Sequence, residues 1–226
     1  MHIRFEQAEL RFGDRVALLP LTLSLVERRI GVIGLNGSGK TSFARLIAGL
    51  AKPTLGKVTL DGLDTVADEK AARAKTGFIF QNPGNQIILP NIREDIALGP
   101  KSQGLAAAEV ERLVDAALDR FGIRALGARR PHELSGGELQ LAALAAVCVN
   151  YPELVIFDEP TNQLDLKNRA RVKTAIEGLA EQAVVISHDL DLVVDFERVL
   201  VFDQGALAFD GAGQAAITRY REIAGC

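Results

Sequence analysis

The chain has 226 residues, 48% of them hydrophobic, with a formal net charge of −3 and two cysteines. That length allows one large domain or two small ones with a real core, and the hydrophobic content marks a folded globular chain. With no sizeable basic block, nucleic acid is a poor partner; with no apolar run beyond the nine residues Leu141 to Val149, no membrane span is expected; and Cys148 and Cys226 form no disulfide framework.

In chain order, residues 1–27 read as β. Met1 to Glu6 is charged and is not a secretion signal. Ile3-Phe5 and Leu21-Leu23-Leu25 alternate apolar with polar, as half-buried antiparallel strands do. Phe12 sits on a turn before Gly13-Asp14, open to stacking on a purine base, although a strand-end Phe alone is more often core. Ile30 to Ile33 read as a buried strand. It enters Gly34-Leu35-Asn36-Gly37-Ser38-Gly39-Lys40-Thr41, which fits G-x-x-x-x-G-K-[ST], the phosphate-binding loop. Thr41 to Leu50 read as the amphipathic helix leaving it, with Phe43, Leu46, Ile47 and Leu50 at helical spacing. Glycines 34, 37 and 39 let successive N–H groups point inward, and the helix N-terminus through Ser42 adds unpaired N–H groups. In this motif Lys40 reaches the β- and γ-phosphates and the Thr41 hydroxyl holds Mg²⁺.

Pro53 to Gly56 reads as a turn, and Gly56 to Gly62 as a strand closed by Asp-Gly. Asp68 to Lys75 is a charged helix. Thr76 to Phe80 reads as a buried strand delivering Gln81 at its carboxyl end, where ligands of open α/β sheets bind. Gln81 is therefore placed to touch Mg²⁺ or an attacking water. Asn82 to Val149 turns helical: Asn91 to Leu98 ended by Gly99-Pro100, Leu105 to Phe121 ended by Gly122, and a helix started by Ser135 with Glu138 completing a capping box. Cys148 lies in this last apolar run, as a buried inert thiol.

Glu153 to Phe157 reads as a buried strand ending in Asp158-Glu159-Pro160, Leu166 to Leu179 as a helix, and Ala183 to Ile186 as a strand followed by Ser187-His188-Asp189. Val199–Phe202 and Ala206–Phe209 flank Asp203-Gln204-Gly205 as a hairpin, and Gly213 to Ile223 closes as a helix. The alternation predicts an α/β fold: a mainly parallel sheet with helices on both faces, an antiparallel β part, and an inserted helical subdomain at 82–149 between core segments 1–81 and 150–226.

Four apolar strands thus end in polar groups: the phosphate loop, Gln81, Asp158-Glu159 and His188. Asp158 suits Mg²⁺. Glu159 is placed to take a proton from, or orient, the water attacking a γ-phosphate, with His188 bonding a γ-phosphate oxygen. Leu134-Ser135-Gly136-Gly137-Glu138 is a second helix N-terminus and a second anion site. A head-to-tail dimer reconciles two anion sites with one ATP each: the Ser135 loop of one copy covers the ATP held by the Lys40 loop of the other.

These motifs, in this order from about residue 2 to about 211, resemble an ATP-binding cassette ATPase. The resemblance implies a P-loop NTPase core, ATP and Mg²⁺ as cofactors, and a dimer with two ATP at its interface, coupled to transmembrane subunits. It assigns Gly34–Thr41 as Walker A, Gln81 as the Q-loop, Leu134–Glu138 as the signature and Val155–Asp158 as Walker B. It also makes Glu159 the catalytic base, Asn162-Gln163-Leu164-Asp165 the D-loop, His188 the switch and Phe12 the base-stacking aromatic. Phe80 to Gln86, then Glu94 to Pro100, resemble the energy-coupling factor importers of vitamins, cobalt and nickel. Their Asn-Pro-x-x-Gln run forms part of the groove for a transmembrane partner. Glu27 to Gly34 and the short chain are most similar to the biotin-transporter ATPases.

There are departures. Gly84-Asn85 stands where many relatives have an acidic pair. Glu27-Arg28-Arg29 replaces the usual Gly-Glu turn. The chain also stops short of a C-terminal dimerisation extension, so its dimer is expected to depend more on ATP. The resemblance implies a peripheral location on the cytoplasmic face of the membrane, a homodimer, a transmembrane coupling subunit near Gln81–Gln86, and a separate substrate-binding membrane subunit. The alternatives are a cobalt, nickel or other transporter ATPase, a cassette ATPase acting on nucleic acid or ribosomes, and an inactive cassette. Lack of a heptad run and of a basic stripe opposes the second, and intact Lys40, Asp158, Glu159 and His188 oppose the third.

Overall fold

A computed structural model describes residues 1–225; Cys226 lies outside the described residues. The elements are β1 (Ile3–Phe12), β2 (Arg15–Leu25), β3 (Arg29–Gly34), α1 (Lys40–Ile47), β4 (Leu55–Leu60), β5 (Leu63–Asp64), α2 (Glu69–Ala74) and β6 (Thr76–Ile79). They continue with α3 (Ile92–Ser102), α4 (Ala107–Arg120), α5 (Gly136–Cys148), β7 (Leu154–Asp158), α6 (Leu166–Glu177) and β8 (Gln182–Ile186). The last are α7 (Leu190–Val193), β9 (Arg198–Asp203), β10 (Ala206–Gly211) and α8 (Gly213–Ala224). Two compact units result. One holds Met1–Gly77, Glu153–Glu159 and the chain from Glu181 onward; the other holds Phe78–Pro152 and Pro160–Ala180.

The first unit contains two sheets. One is antiparallel, in the order β2-β1-β4-β5. Its register puts Ile3 opposite Leu25 and Phe5 opposite Leu23, so the alternating apolar residues share one buried face. The other sheet runs β10-β9-β3-β8-β7-β6; β9, β3, β8 and β7 are parallel, and β10 is an antiparallel edge closed by Gln204-Gly205, both at positive φ. Phe43 of α1 joins the two sheets: it stacks on Phe5 of β1 at 4.8 Å and meets Phe202 of β9 at 5.1 Å. All three rings are fully buried, and such aromatic packing dominates a core's energetics. Because β3, β8 and β7 are neighbours and parallel, the phosphate loop, His188 and Asp158-Glu159 follow three adjacent carboxyl ends.

Two expectations are corrected here. Helix α1 stops at Ile47, because Gly49 adopts a left-handed φ of 64°, and Leu50 is exposed instead of continuing the buried stripe. Strand β6 ends at Ile79 and is an edge strand, so Phe78 is only partly buried and Phe80 is exposed.

In the second unit, α4 buries Val110, Leu113, Val114, Ala117 and Leu118, and ends before Gly122 at φ 63°. Helix α3 does not stop at Gly99-Pro100 as expected but runs to Ser102. Gly99 packs directly on Asn150, where a Cβ would fall 2.0 Å from Oδ1, and Gln103 Nε2 donates to that same oxygen at 3.1 Å. Contact with the end of α5 thus holds a last turn that local propensity disfavours. The segment Pro160–Ala180 groups with this helical unit, because α6 packs Val172 and Ile176 inward and lies against α5. Cys148 is buried there. Among the described residues no helix is long and apolar enough to cross a membrane.

Candidate active site

In the first unit the loop between β3 and α1 wraps the Lys40 side chain. Lys40 is buried, and its Nζ donates to the carbonyls of Gly34 (2.8 Å) and Leu35 (2.9 Å). Gly39, the residue before α1, sits at φ 105°, and a Cβ there would lie 2.6 Å from the Ala17 carbonyl. Only glycine satisfies both conditions. No side chain caps α1, so its first N–H groups are available to an anion. The loop is braced from outside, since Gly205 N donates to Ser38 O at 3.0 Å and Leu19 N donates to Gly205 O at 2.8 Å. Ser38 is buried, and its Oγ has no hydrogen-bond partner among the described residues. An orphaned hydroxyl inside a ring of glycines fits a phosphate-oxygen cradle. Leu35 and Asn36 are exposed at the loop crest, and Ser42 is half-buried on α1.

Thr41 Oγ1 donates to Asp158 Oδ1 at 3.2 Å. Asp158 closes β7 and is buried; burial raises its pKa, opposed by the Thr41 hydroxyl and by the charges of Arg45 and Lys40. Two oxygens this close suit a hard cation. Among the described residues no three His, Cys, Asp or Glu side chains gather to hold a metal alone. Such a cation would need further oxygens from a ligand, as Mg²⁺ does when it sits on nucleotide phosphates.

Glu159 is next. Its backbone has φ 55°, a left-handed conformation unusual for glutamate and more so before Pro160. Its N–H donates to Ile186 O at 2.9 Å, which ties it to β8. Its Oε2 accepts the His188 N–H at 3.0 Å, and its buried Oε1 lies 3.1 Å from His188 Nε2 without a formed hydrogen bond. Burial raises the Glu159 pKa, opposed by the His188 N–H and by Lys40. Burial and then the Lys40 charge lower that of His188, so the ring is neutral at pH 7. Lys40 itself is lowered by burial, against the pull of Glu159 and Asp158. An acid, a neutral imidazole and an ammonium therefore meet at the strand ends, with one carboxylate oxygen left to accept a proton. Phe12 is 58% exposed, so it is not core. It pairs across its hairpin with Arg15, whose guanidinium reaches within 3.8 Å of a Cβ built on Gly37 of the loop.

The remaining expected residues belong to the second unit. Gln81 is exposed just past β6. Ser135 caps α5 in a full capping box: Glu138 N donates to Ser135 Oγ at 3.4 Å, while Ser135 N and Oγ donate to Glu138 Oε2 at 2.9 and 2.8 Å. These bonds from Ser135 hold the Glu138 carboxyl below its ordinary pKa. The paired glycines have a structural cause not visible in the sequence. A Cβ on Gly137 would lie 2.5 Å from Asn168 Cβ, and one on Gly136 would lie 3.0 Å from Leu164 Cδ2, so α5 and the start of α6 approach closely. Asp165 caps α6, its Oδ1 accepting the Asn168 N–H at 2.7 Å. Sequence reasoning missed Gln140. It lines a 380 Å³ cavity with Gln81, Asn82, Asn162 and Gln163, and its buried Nε2 has no partner among the described residues. Its place on the buried face of α5 was the only available signal.

The ABC transporter family profile matches residues 20–162. The biotin transport ATP-binding protein BioM of Rhizobium etli is 61% identical over 99% of this chain and 100% of its own length. An energy-coupling factor transporter ATP-binding protein of Latilactobacillus sakei is 36% identical over 93% of this chain and 76% of its own. Among solved structures, cbiO1 from Clostridium perfringens, part of the ABC transporter complex cbiONQ, superimposes with a TM-score of 0.87 at 25% identity, covering 99% of this chain and 93% of that one. The chain therefore belongs to the ABC transporter family, as one of its ATP-binding, ATP-hydrolysing proteins.

Proposed function

We propose that this protein is the ATPase of an energy-coupling factor importer for biotin. The observation that carries the reading is the 61% identity to a biotin transport ATPase along the whole chain, joined to an intact set of reacting groups. The ATP phosphates lie on the bare N–H groups of α1 and the loop, with Lys40 leaving the Gly34 and Leu35 carbonyls for the β- and γ-phosphates. Phe12 stacks on the base. Thr41 and Asp158, with Gln81, would hold Mg²⁺, which neutralises phosphate charge. Glu159 Oε1 takes the proton of the water that attacks the γ-phosphorus while the bond to ADP breaks. His188 holds Glu159 in place and contacts the γ-phosphate. Positioning and charge stabilisation supply nearly all of such catalysis.

Two copies close head to tail over two ATP. The Ser135–Glu138 helix start of each, with Asp165, completes the site of the other, and phosphate release reopens the pair. The motion passes through the Gln81–Gln86 region to a transmembrane subunit at the cytoplasmic face of the membrane, and a separate membrane subunit binds the solute. The test is co-purification from detergent-solubilised membranes, followed by labelled-biotin uptake in vesicles. Uptake that needs both ATP and Glu159 supports the reading; uptake of cobalt or nickel ions in place of biotin replaces it.

A further inference from the structure

Gln86 folds back on the edge strand β6. Its side-chain Oε1 accepts the Phe80 N–H at 3.2 Å, and its Nε2 donates to the Phe78 carbonyl at 3.1 Å. Those two backbone groups flank Ile79, and they are the pair that one residue of a parallel neighbouring strand would engage. The carboxamide therefore acts as a one-residue strand on the open edge of β6. It also closes a small ring: Phe80 and Gln86 are the ends, and Gln81 lies inside.

The rest of the ring is equally constrained. Asn82 Oδ1 accepts the Gly84 N–H at 3.1 Å, Asn85 N donates to Asn82 O at 3.1 Å, and Gln86 N donates to Pro83 O at 3.0 Å, which makes a single 3₁₀ turn. Beyond it, Asp95 of α3, 7% exposed, accepts the N–H groups of Ile88 (2.8 Å) and Leu89 (3.1 Å). Gln81 thus sits in a loop pinned on its C-terminal side by two inward-facing side chains. Both Gln86 amide atoms are taken up inside the loop.

We propose that Gln86 is a positioning residue for Gln81: its carboxamide clamps the end of β6 and fixes where the Gln81 side chain is presented during ATP hydrolysis. This rests on the role given to Gln81 under the proposed function. Replacing Gln86 with Leu keeps the bulk and removes both bonds. The loop then loosens, Gln81 is mispositioned, and nucleotide binding at the Lys40 loop is untouched.

The experiment compares wild type, Gln81→Ala, Gln86→Leu and the double variant as full chains. It measures ATP turnover, KM for ATP, unfolding temperature and amide exchange at Phe80. Gln86→Leu is expected to lower kcat roughly 10- to 100-fold, the scale of a small misplacement of a reacting group, with KM unchanged. It should speed exchange at Phe80, and the double variant should be no slower than Gln81→Ala alone, because residues acting through one another are not additive. Gln86→Glu keeps the acceptor for Phe80 N–H, so it should retain protection there even if Gln86→Leu folds poorly. Wild-type kcat in Gln86→Leu beside an impaired Gln81→Ala overturns the positioning role alone. Fully additive losses in the double variant overturn it too. Wild-type kcat in Gln81→Ala overturns instead the role given to Gln81.

Discussion

His188 gives its backbone N–H to one oxygen of Glu159 at 3.0 Å and sets its ring Nε2 3.1 Å from the other. The imidazole is neutral at pH 7 and the carboxyl is buried, so the pair can hold a water and receive its proton without first shedding an ion pair. Glu159 makes these contacts from a left-handed backbone, at φ 55°. Strain of this kind costs on the order of 1–3 kcal/mol and collects at functional sites.

Glu159→Gln keeps the side-chain shape and removes the base. Turnover should fall by about 10²–10⁴-fold, the span of general base catalysis, while ATP still binds. Phosphate release and equilibrium nucleotide binding check this; wild-type turnover would remove Glu159 from the mechanism. The same variant informs stability. The Glu159 pKa is raised in the fold, so its stabilising contribution is present at low pH and lost as pH rises through the folded value. A neutral Gln escapes that loss. The unfolding temperature of Glu159→Gln at pH 8 should equal or exceed that of wild type, with the gap closing toward pH 4.

Lys40→Ala removes the donor to the Gly34 and Leu35 carbonyls and a positive charge that feels both Glu159 and Asp158. Nucleotide affinity should drop by about 2–5 kcal/mol, the usual cost of losing one partner of a buried charge-assisted contact. Titration calorimetry with ATP measures it. An unchanged Kd would show that the loop does not hold the phosphates.

Gly39→Ala places a methyl group 2.6 Å from the Ala17 carbonyl at a φ of 105°. The fold should lose more than about 1–3 kcal/mol, and ATP binding should fall with it. Gly104→Ala is the control: it shares a positive φ but meets nothing within 4 Å, so it should cost less. Equal denaturation midpoints for the two variants would contradict the packing argument.

Ser135→Ala removes the cap oxygen of α5. Its own stability cost is about 1 kcal/mol, and Kd for ATP in a single copy should not move, because the Ser135 hydroxyl is engaged with Glu138 at its own helix start. Turnover should fall far more than stability does if this helix start completes the site of a second copy. A turnover loss no greater than the small loss of folded protein would reduce Ser135 to an ordinary cap.

What could be read in the chain were features set by contiguous residues. The loop at 34–41 carries its own turn chemistry, and the Ser135–Glu138 box needs only four residues. What could not be read was set by distant ones. Helix α3 runs past Gly99-Pro100 because Asn150, some fifty positions later, packs on Gly99. Gly136 and Gly137 look like an anion site in sequence, yet a Cβ on Gly137 would lie 2.5 Å from Asn168 Cβ, so packing against α6 also needs that position small. Asp165 and Gln86, assigned to ligand and partner contacts by resemblance, have side chains engaged in a helix cap and on β6. The left-handed backbone of Glu159 had no local signal, and Pro160 argued against it.

The decisive measurement is the solution mass of Glu159→Gln by light scattering, with Mg²⁺ and either ATP or ADP, alone and with Ser135→Arg added. A dimer with ATP, a monomer with ADP, and no dimer once Ser135 is replaced would establish a triphosphate clamped between the loop of one copy and the helix start of another. A protein that binds ATP yet stays monomeric, or dimerises equally well with Arg at 135, would contradict it.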